Sequence, residues 1–339
     1  MAPAITLTAR QARRLIFSAL TGAGTAAENA RYFTEAILDT ELSGLDGHGF
    51  YWLQYYCEHV ASGKVKGRAK PVVKKLSAVA FRVDPKGGFA HPAIEAGFAR
   101  LIPAAEKFGI AGLAVHDSYN AATLGFHTGY LARRGLVAFG FTNSTPAIAP
   151  VGGTTPLIGT NPMSFAVPGA KGKLAFLIDQ SSSSVAWTAV KRAAEEGRAI
   201  PLGWALDRAG QPTADAAEGL LGSMAPSGGY KGFGQGLIVE VMCAALAGTR
   251  RGPEMGSFMD NDGKPIGCGQ FFIALAPKVF SGGLFDQQIR ALVASIKAQD
   301  GARLPNARRE ANRKRFLKEG LAIECGLYER LKRFAGLAA

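Results

Sequence analysis

Apolar side chains recur at helical spacing over residues 8–20 (TARQARRLIFSAL) and 26–43 (AAENARYFTEAILDTELS), which predicts two amphipathic helices, with Thr8 as an N-cap and Gly44 as a stop. A dense aromatic run follows at 50–56, and Gly63 and Gly67 then break the pattern before VVKKLSAVAFRVD (72–84), which reads as extended. From there the texture alternates. Helical periodicity at 91–109 and 123–135 is interleaved with strand-like runs at 110–117, 136–144, 174–181 and 271–277, and this predicts an α/β core. The turn-rich passage 145–168 (TPAIAPVGGTTPLIGTNPMSFAVP) is longer than most structureless connections, and its interleaved Ile, Leu, Met and Phe mark an ordered loop. The tail from 285 onward is helical again, so the two ends are expected to pack together.

Composition adds bounds. At 339 residues, 47% hydrophobic and 19% charged, the chain can bury a sizeable core as two domains or one large one. The longest apolar stretch, 236–248, is interrupted by Glu240 and is shorter than the about 20 residues a membrane span needs, so no membrane association is expected. Arg10, Arg13 and Arg14 leave no uninterrupted apolar leader segment. Cys57, Cys243, Cys268 and Cys325 lie far apart, with neither disulfide density nor zinc-ligand spacing, which fits a reducing cytoplasm.

The net charge of +13 concentrates anions at the surface, whether small acids, dinucleotides or nucleic acid. Its basic residues cluster in the tail, at Arg303, Arg308, Arg309, Arg313, Lys314, Arg315 and Lys318, where a run on a helix is ordinarily a solvated face. No zinc-finger, RNP1-like or basic-zipper pattern accompanies them, so nucleic acid is not expected as a partner.

Three segments carry candidate chemistry. In LDGHGFYWLQYY (45–56), His48 sits between two glycines ahead of aromatics, a setting that suits a proton donor; the bland alternative is a histidine hydrogen-bonded in a turn before a helix. SGGYKGFGQ opens an apolar helical pattern with glycines and Lys231, which can cradle phosphate or carboxylate; equally it is a flexible connection to a buried helix, since it matches neither G-x-G-x-x-G nor the P-loop. Asp179 closes the strand LAFLID, where it can orient a histidine such as His48 or simply cap the following turn or helix. His59, His91, His116 and His127 read as structural; no spacing suits a metal, and no G-x-S-x-G elbow is present.

Taken together, DGHGF, TNSTPAIAPVGG, LIGTNPMSFAVP, IDQS, IPLGWALDRAGQPT and APSGGYKGFG resemble the type-2 malate/L-lactate dehydrogenase family. That family also includes sulfolactate dehydrogenases, ureidoglycolate dehydrogenase, diketogulonate reductase and cyclic-imine reductases, and the similarity spans nearly the whole chain. The resemblance implies NAD or NADP dependence on a non-Rossmann fold: three α/β/α layers with a mixed sheet, helical ends packed together, and a homodimer with sites near the interface. We accordingly divide the chain into a helical, dimerising unit, 1–75 with 295–339, and a dinucleotide-binding α/β unit, 76–294.

The resemblance also implies roles. His48 matches the family's proton-donating histidine, and Asp179 its aspartate partner beside the cofactor. Ser144, Ile178, Gln180, Tyr230, Lys231, Asn306, Ala307 and Arg308 fall where relatives contact the dinucleotide, while Thr160 and Asn161 lie in the loop near nicotinamide or substrate.

Three positions depart from the pattern. Gly47 replaces a serine, Trp52 stands where an arginine is common, and Asn120 replaces the histidine of an S-N-H block, so it can position by hydrogen bonding but cannot titrate. The expected activity is hydride transfer between nicotinamide and C2 of a small anionic 2-oxo or 2-hydroxy acid of malate, lactate or sulfolactate type. A reductase of cyclic imines such as piperideine- or pyrroline-2-carboxylate is the alternative, for which Trp52 offers an aromatic wall. The rival from another class is a non-catalytic basic nucleic-acid-binding or scaffold protein on the same fold.

Overall fold

The computed structural model describes residues 4–337. The chain starts with β1 (Ala4–Leu7), α1 (Ala9–Gly22) and α2 (Ala27–Leu42), and a 3-10 turn at Asp46–His48 leads into α3 (Phe50–Ala61). There follow β2 (Val72–Lys75), β3 (Ala80–Asp84), α4 (Ala90–Phe108), β4 (Ile110–Ser118), α5 (Leu124–Ala132), β5 (Val137–Thr142), β6 (Met163–Pro168) and β7 (Leu174–Gln180). A small lobe is built from α6 (Trp187–Glu195), β8 (Ala205–Leu206), β9 (Pro212–Thr213), α7 (Ala216–Leu221) and β10 (Ser223–Met224). Next, α8 (Tyr230–Glu240) runs into a π-helical turn, Val241–Leu246, and β11 (Cys268–Leu275) returns to the main sheet. The chain closes with α9 (Pro277–Phe280), α10 (Phe285–Lys297), α11 (Ala307–Glu319), β12 (Leu321–Glu324) and α12 (Cys325–Phe334).

The main sheet has the order β2-β3-β4-β11-β5-β6-β7, and only β3 and β4 run parallel, so it is mixed. Side-chain alternation divides its two faces. Phe272 and Ala274 of β11 and Ala138 of β5 join Phe98, Leu101 and Leu131 of α4 and α5 on one side. On the other, Phe271, Ile273, Phe139 and Phe141 meet Val239 and Cys243 of α8 and its π turn. Helices therefore cover both faces and give three layers. The α4 face is close-packed: a Cβ on Gly97 would lie 2.5 Å from a Leu113 methyl, so only glycine lets the helix approach β4.

The first and last elements form a separate core. β1 and β12 pair antiparallel with Leu7 opposite Leu321, and Ile16, Leu20, Phe33, Leu53 and Tyr56 are buried with Ile323 and Leu331. Each such side chain contributes about 1.5–3 kcal/mol on burial. As expected, the ends pack together. Thr8 caps α1 in a capping box with Gln11, and α2 gives way to Gly44 at φ 71°.

Two expectations change. Residues 163–168, read as the end of a loop, form β6, in which Ser164 and Ala166 are buried and alternate with half-buried Met163 and Phe165. Residues 72–84 hold two strands joined by a turn rather than one extended run. Among the described residues no helix is long and apolar enough to cross a membrane.

Candidate active site

His48 ends the 3-10 turn, its N–H donating to Leu45 O at 2.8 Å, and its side chain is half-buried. The glycines beside it answer to local crowding. A Cβ on Gly49 would fall 1.9 Å from Glu41 Oε1, the oxygen that accepts the Phe50 N–H at the start of α3. Glu41 thus places a carboxylate at that helix N-terminus, where the orphan N–H groups and the dipole favour it. On the other side, a Cβ on Gly47 would lie 3.1 Å from Thr188 Oγ1, so α6 of the small lobe closes over the turn that carries His48.

Of the other four histidines, His116 lies with Nδ1 3.3 Å from Asp117 Oδ2 at the end of β4, and His59, His91 and His127 are buried. Burial, with Lys64 nearby, pushes His59 down to about 4, and burial pushes His127 down to about 4 and His91 well below the ordinary range. His59 Nδ1 lies 2.5 Å from Tyr119 Oη, and His127 contacts Ala121 O at 3.0 Å. All three are neutral at pH 7 and fully buried, which suits packing and not proton donation.

Asp179 stands at the end of β7 with its side chain 8% exposed. Its Oδ2 accepts the Gly125 N–H at 3.1 Å, at the start of α5, and Arg309 Nη1 at 2.9 Å; Arg309 Nη2 also reaches Asp179 O at 3.3 Å. The expected His48 partnership is absent from these described contacts: the carboxylate caps a helix and holds an arginine. Arg309 arrives on α11, which is fastened to α2 by the Arg313–Asp39 ion pair and by Asn312 Nδ2 donating to Ser43 O at 3.1 Å. Nothing in the basic run marks Arg309 and Arg313 as the arginines that turn inward.

Asn120, on the loop between β4 and α5, accepts the Ala122 N–H at 2.7 Å and the Tyr56 hydroxyl at 3.0 Å through Oδ1. Trp52 is 7% exposed, its ring edge-on to Phe258 at 4.8 Å and to Tyr51 at 5.2 Å, inside the aromatic cluster of the helical ends. Lys64 holds the segment that carries Phe258, donating to Ser257 O at 2.7 Å and to Asp260 O. Phe258 leaves no signal in the sequence, because it lies far from α3 along the chain.

The third group centres on Asn161, fully buried at φ 38°. Its Oδ1 accepts the Ser144 N–H at 3.1 Å, and its Nδ2 donates to Gly236 O at 3.0 Å and Glu240 Oε2 at 2.8 Å, tying the 145–162 loop to α8. Thr160 is half-buried and its carbonyl accepts the Ser182 N–H at 2.8 Å. The half-buried Ile178 accepts Ser164 Oγ on its carbonyl at 2.9 Å, and Gln180 is exposed, 3.4 Å from Gln235 of α8. Tyr230, 70% exposed, and Lys231 occupy the first turn of α8 behind Gly228 and Gly229, both at φ 65°. Asn306 precedes α11 in the left-handed region at φ 75°, with Ala307 and Arg308 exposed beside it.

The structure therefore joins Ser144 to α8 through Asn161, Thr160 to Ser182, and Asp179 to the 306–309 segment through Arg309. His48 stands with α3 and the small lobe, and Asn120 is tied to α3 through Tyr56. The first turn of α8 has no side-chain cap and carries an exposed lysine behind two left-handed glycines, so it offers helix N-terminal N–H groups and a positive charge to an anionic group such as a phosphate. Among the described residues, no group of three His, Cys, Asp or Glu side chains is placed to hold a metal ion.

Known proteins resemble this chain along its length. It is 38% identical over 326 residues, 96% of this chain and 97% of the relative, to the (2R)-3-sulfolactate dehydrogenase (NADP(+)) of Chromohalobacter salexigens. To the Delta(1)-pyrroline-2-carboxylate reductase of Ancylobacter novellus it is 37% identical over 316 residues, 92% of each chain. The crystal structure of delta1-piperideine-2-carboxylate reductase from Pseudomonas syringae pvar. tomato superposes with a TM-score of 0.90 at 33% identity, covering 97% of this chain and 99% of that one. Residues 7–332 match the family model described as malate/L-lactate dehydrogenase, and the chain belongs to that family.

Proposed function

We propose that this protein is an NAD- or NADP-dependent oxidoreductase that interconverts a small anionic 2-oxo acid and its 2-hydroxy acid, with His48 as proton donor and acceptor. The observation that carries the reading is the placement of His48: half-buried between two glycines under the small lobe, in a chain that matches the family from residue 7 to residue 332. The nicotinamide dinucleotide, when bound, supplies or receives the hydride at C2. His48 hands a proton to the C2 oxygen as negative charge gathers there, and takes it back in the reverse direction.

Other residues bind and orient. Tyr230 and Lys231 meet the dinucleotide at the start of α8, and Ser144, Ile178, Gln180 and the Asn306–Arg308 segment complete that side. Asn161 shapes the loop that presents Thr160, and Asp179 with Arg309 fixes the end of β7 against α11. The unit 76–294 then carries the cofactor, and the ends, 1–75 with 295–339, contribute to a homodimer. Leu237, Ile238, Val241 and Leu246 form an exposed apolar stripe on α8 and its π turn that a second copy would cover. Four free cysteines suit the reducing cytoplasm.

A second reading, cyclic-imine reduction, is favoured by the named reductases at 37% and 33% identity. None of the relatives supports the nucleic-acid alternative. A panel of 2-oxo acids, sulfopyruvate and cyclic imines, each assayed with NADH and NADPH, tests the proposal. We expect turnover of at least one 2-oxo acid; turnover of imines alone would establish the second reading, and turnover of nothing would refute both.

A further inference from the structure

Residues 63–70, GKVKGRAK, hold four cations in eight positions, and neither helix nor strand forms there. Lys64 turns inward, donating to Ser257 O at 2.7 Å and to Asp260 O, while Lys66, Arg68 and Lys70 stay exposed. Among the described residues the side chains of Lys66 and Arg68 have no acidic partner, whereas Lys86, in the turn after β3, is paired with Asp84 at 2.8 Å. Lys66 and Arg68 line one groove of about 520 Å³, which runs between the α1–α2 connection and the end of α3 and has Ala23, Val60 and Val65 as its apolar lining. A concave, partly apolar surface of this size with a few charged groups at one place is what small-molecule sites share.

The turn that carries the two cations is fixed through its carbonyls. The Ala69 N–H donates to Lys66 O at 3.0 Å and closes it. Gly67 O accepts the Ala26 N–H at 3.1 Å and Asn29 Nδ2 at 2.9 Å, and Ala69 O accepts Asn29 Nδ2 at 2.9 Å, so the start of α2 holds the turn from one side. The approach is close: a Cβ on Gly67 would lie 2.9 Å from Thr25 Cα. Because the Gly67–Arg68 peptide is trans, a carbonyl directed at α2 turns the Arg68 N–H away from it, and no acceptor among the described residues meets that N–H. The turn therefore spends its acceptors on the fold and keeps donors and positive charge for something else, the arrangement an anion needs.

We infer that this groove binds a small amphipathic carboxylate, its head group on Lys66, Arg68 and the Arg68 N–H and its apolar body against Ala23, Val60 and Val65. The groove meets α3 at its last turn, about 15 Å along the helix from Phe50 at 1.5 Å per residue, so it is separate from the candidate active site at His48. An anion without an apolar body, or a chain without a charge, makes only half of the contacts.

The test is isothermal titration calorimetry of octanoate into wild type and two double variants, each shown by its Tm to be folded. Lys66→Gln with Arg68→Gln removes the cations of the groove, and Lys70→Gln with Lys74→Gln removes the same charge from exposed positions outside its lining. Octanoate should bind wild type at least about tenfold more tightly than the first variant and within about twofold of the second. In wild type, 1-octanol and inorganic phosphate should each bind at least about tenfold more weakly than octanoate.

Absence of octanoate binding up to about 10 mM, equal affinity in wild type and the groove variant, or an equal loss in both variants overturns the inference. So does phosphate bound as tightly as octanoate, which would leave the apolar lining without a part, and so does displacement of octanoate by a random DNA duplex, which would give the cations to a polyanion. Neither His48 nor the dinucleotide enters the site, so its failure would leave the oxidoreductase reading standing.

Discussion

Arg309 grips both the carboxylate and the backbone oxygen of Asp179, a planar fork on two acceptors that a lysine cannot reproduce. With 8% of the aspartate side chain and 21% of the arginine exposed, removing the cation strands a mostly buried carboxylate on the single N–H of Gly125. Arg309→Ala is therefore expected to lower the unfolding free energy by about 1–3 kcal/mol, below the range for fully buried pairs because solvent reaches the arginine. Urea denaturation measures it; an unchanged midpoint would show that the pair contributes nothing. Both partners were visible in the sequence, but not their contact. Asp179 stood at a strand end, where a carboxylate either orients a histidine or caps a helix, and the choice depends on α5 and α11 arriving from elsewhere. His48 stood out in the sequence because two flanking glycines leave a local trace, whereas nothing in the aromatic run distinguished a hydrogen-bonding phenol such as Tyr56 from a packing one.

At the level of elements, what was legible is what local rules determine. The helical spacing and the Thr8 cap located α1 and α2, and unbroken apolar runs located β4, β5, β7 and β11. What was hidden depends on distant partners. β1 and β12 are four residues each and exist through mutual pairing from opposite ends of the chain, and β8, β9 and β10 are two residues each. β6 was masked by the prolines and glycines before it, although its alternation of buried and half-buried positions has the strand period. The apolar pattern of α8 was clear; the π turn that follows was not, because an i→i+5 hydrogen bond leaves no period of its own in so short a segment.

The whole molecule carries three buried histidines that it holds neutral, and this sets its response to acid. His127 takes up its proton only near about 4 in the fold, against 6.5 in an unfolded chain, so above 6.5 both states are neutral and the contribution to stability is complete. As pH falls from 6.5 towards 4 the unfolded state binds the proton first, and His127 alone withdraws up to about 3 kcal/mol, with His59 and His91 acting in the same direction. Scanning calorimetry should show Tm falling steadily between pH 7 and pH 4.5; a flat Tm over that interval would contradict the assignment. The charge of +13 sets where anions gather without selecting among them, which is why composition alone left nucleic acid and dinucleotide both in view until the full-length family match decided. The central claim is that His48 moves the proton, and its most direct test is His48→Ala in single-turnover and steady-state assays with the reduced dinucleotide titrated in parallel. The account predicts turnover lower by about 10²–10⁴-fold with dinucleotide affinity unchanged, and near-normal turnover in that variant would contradict it.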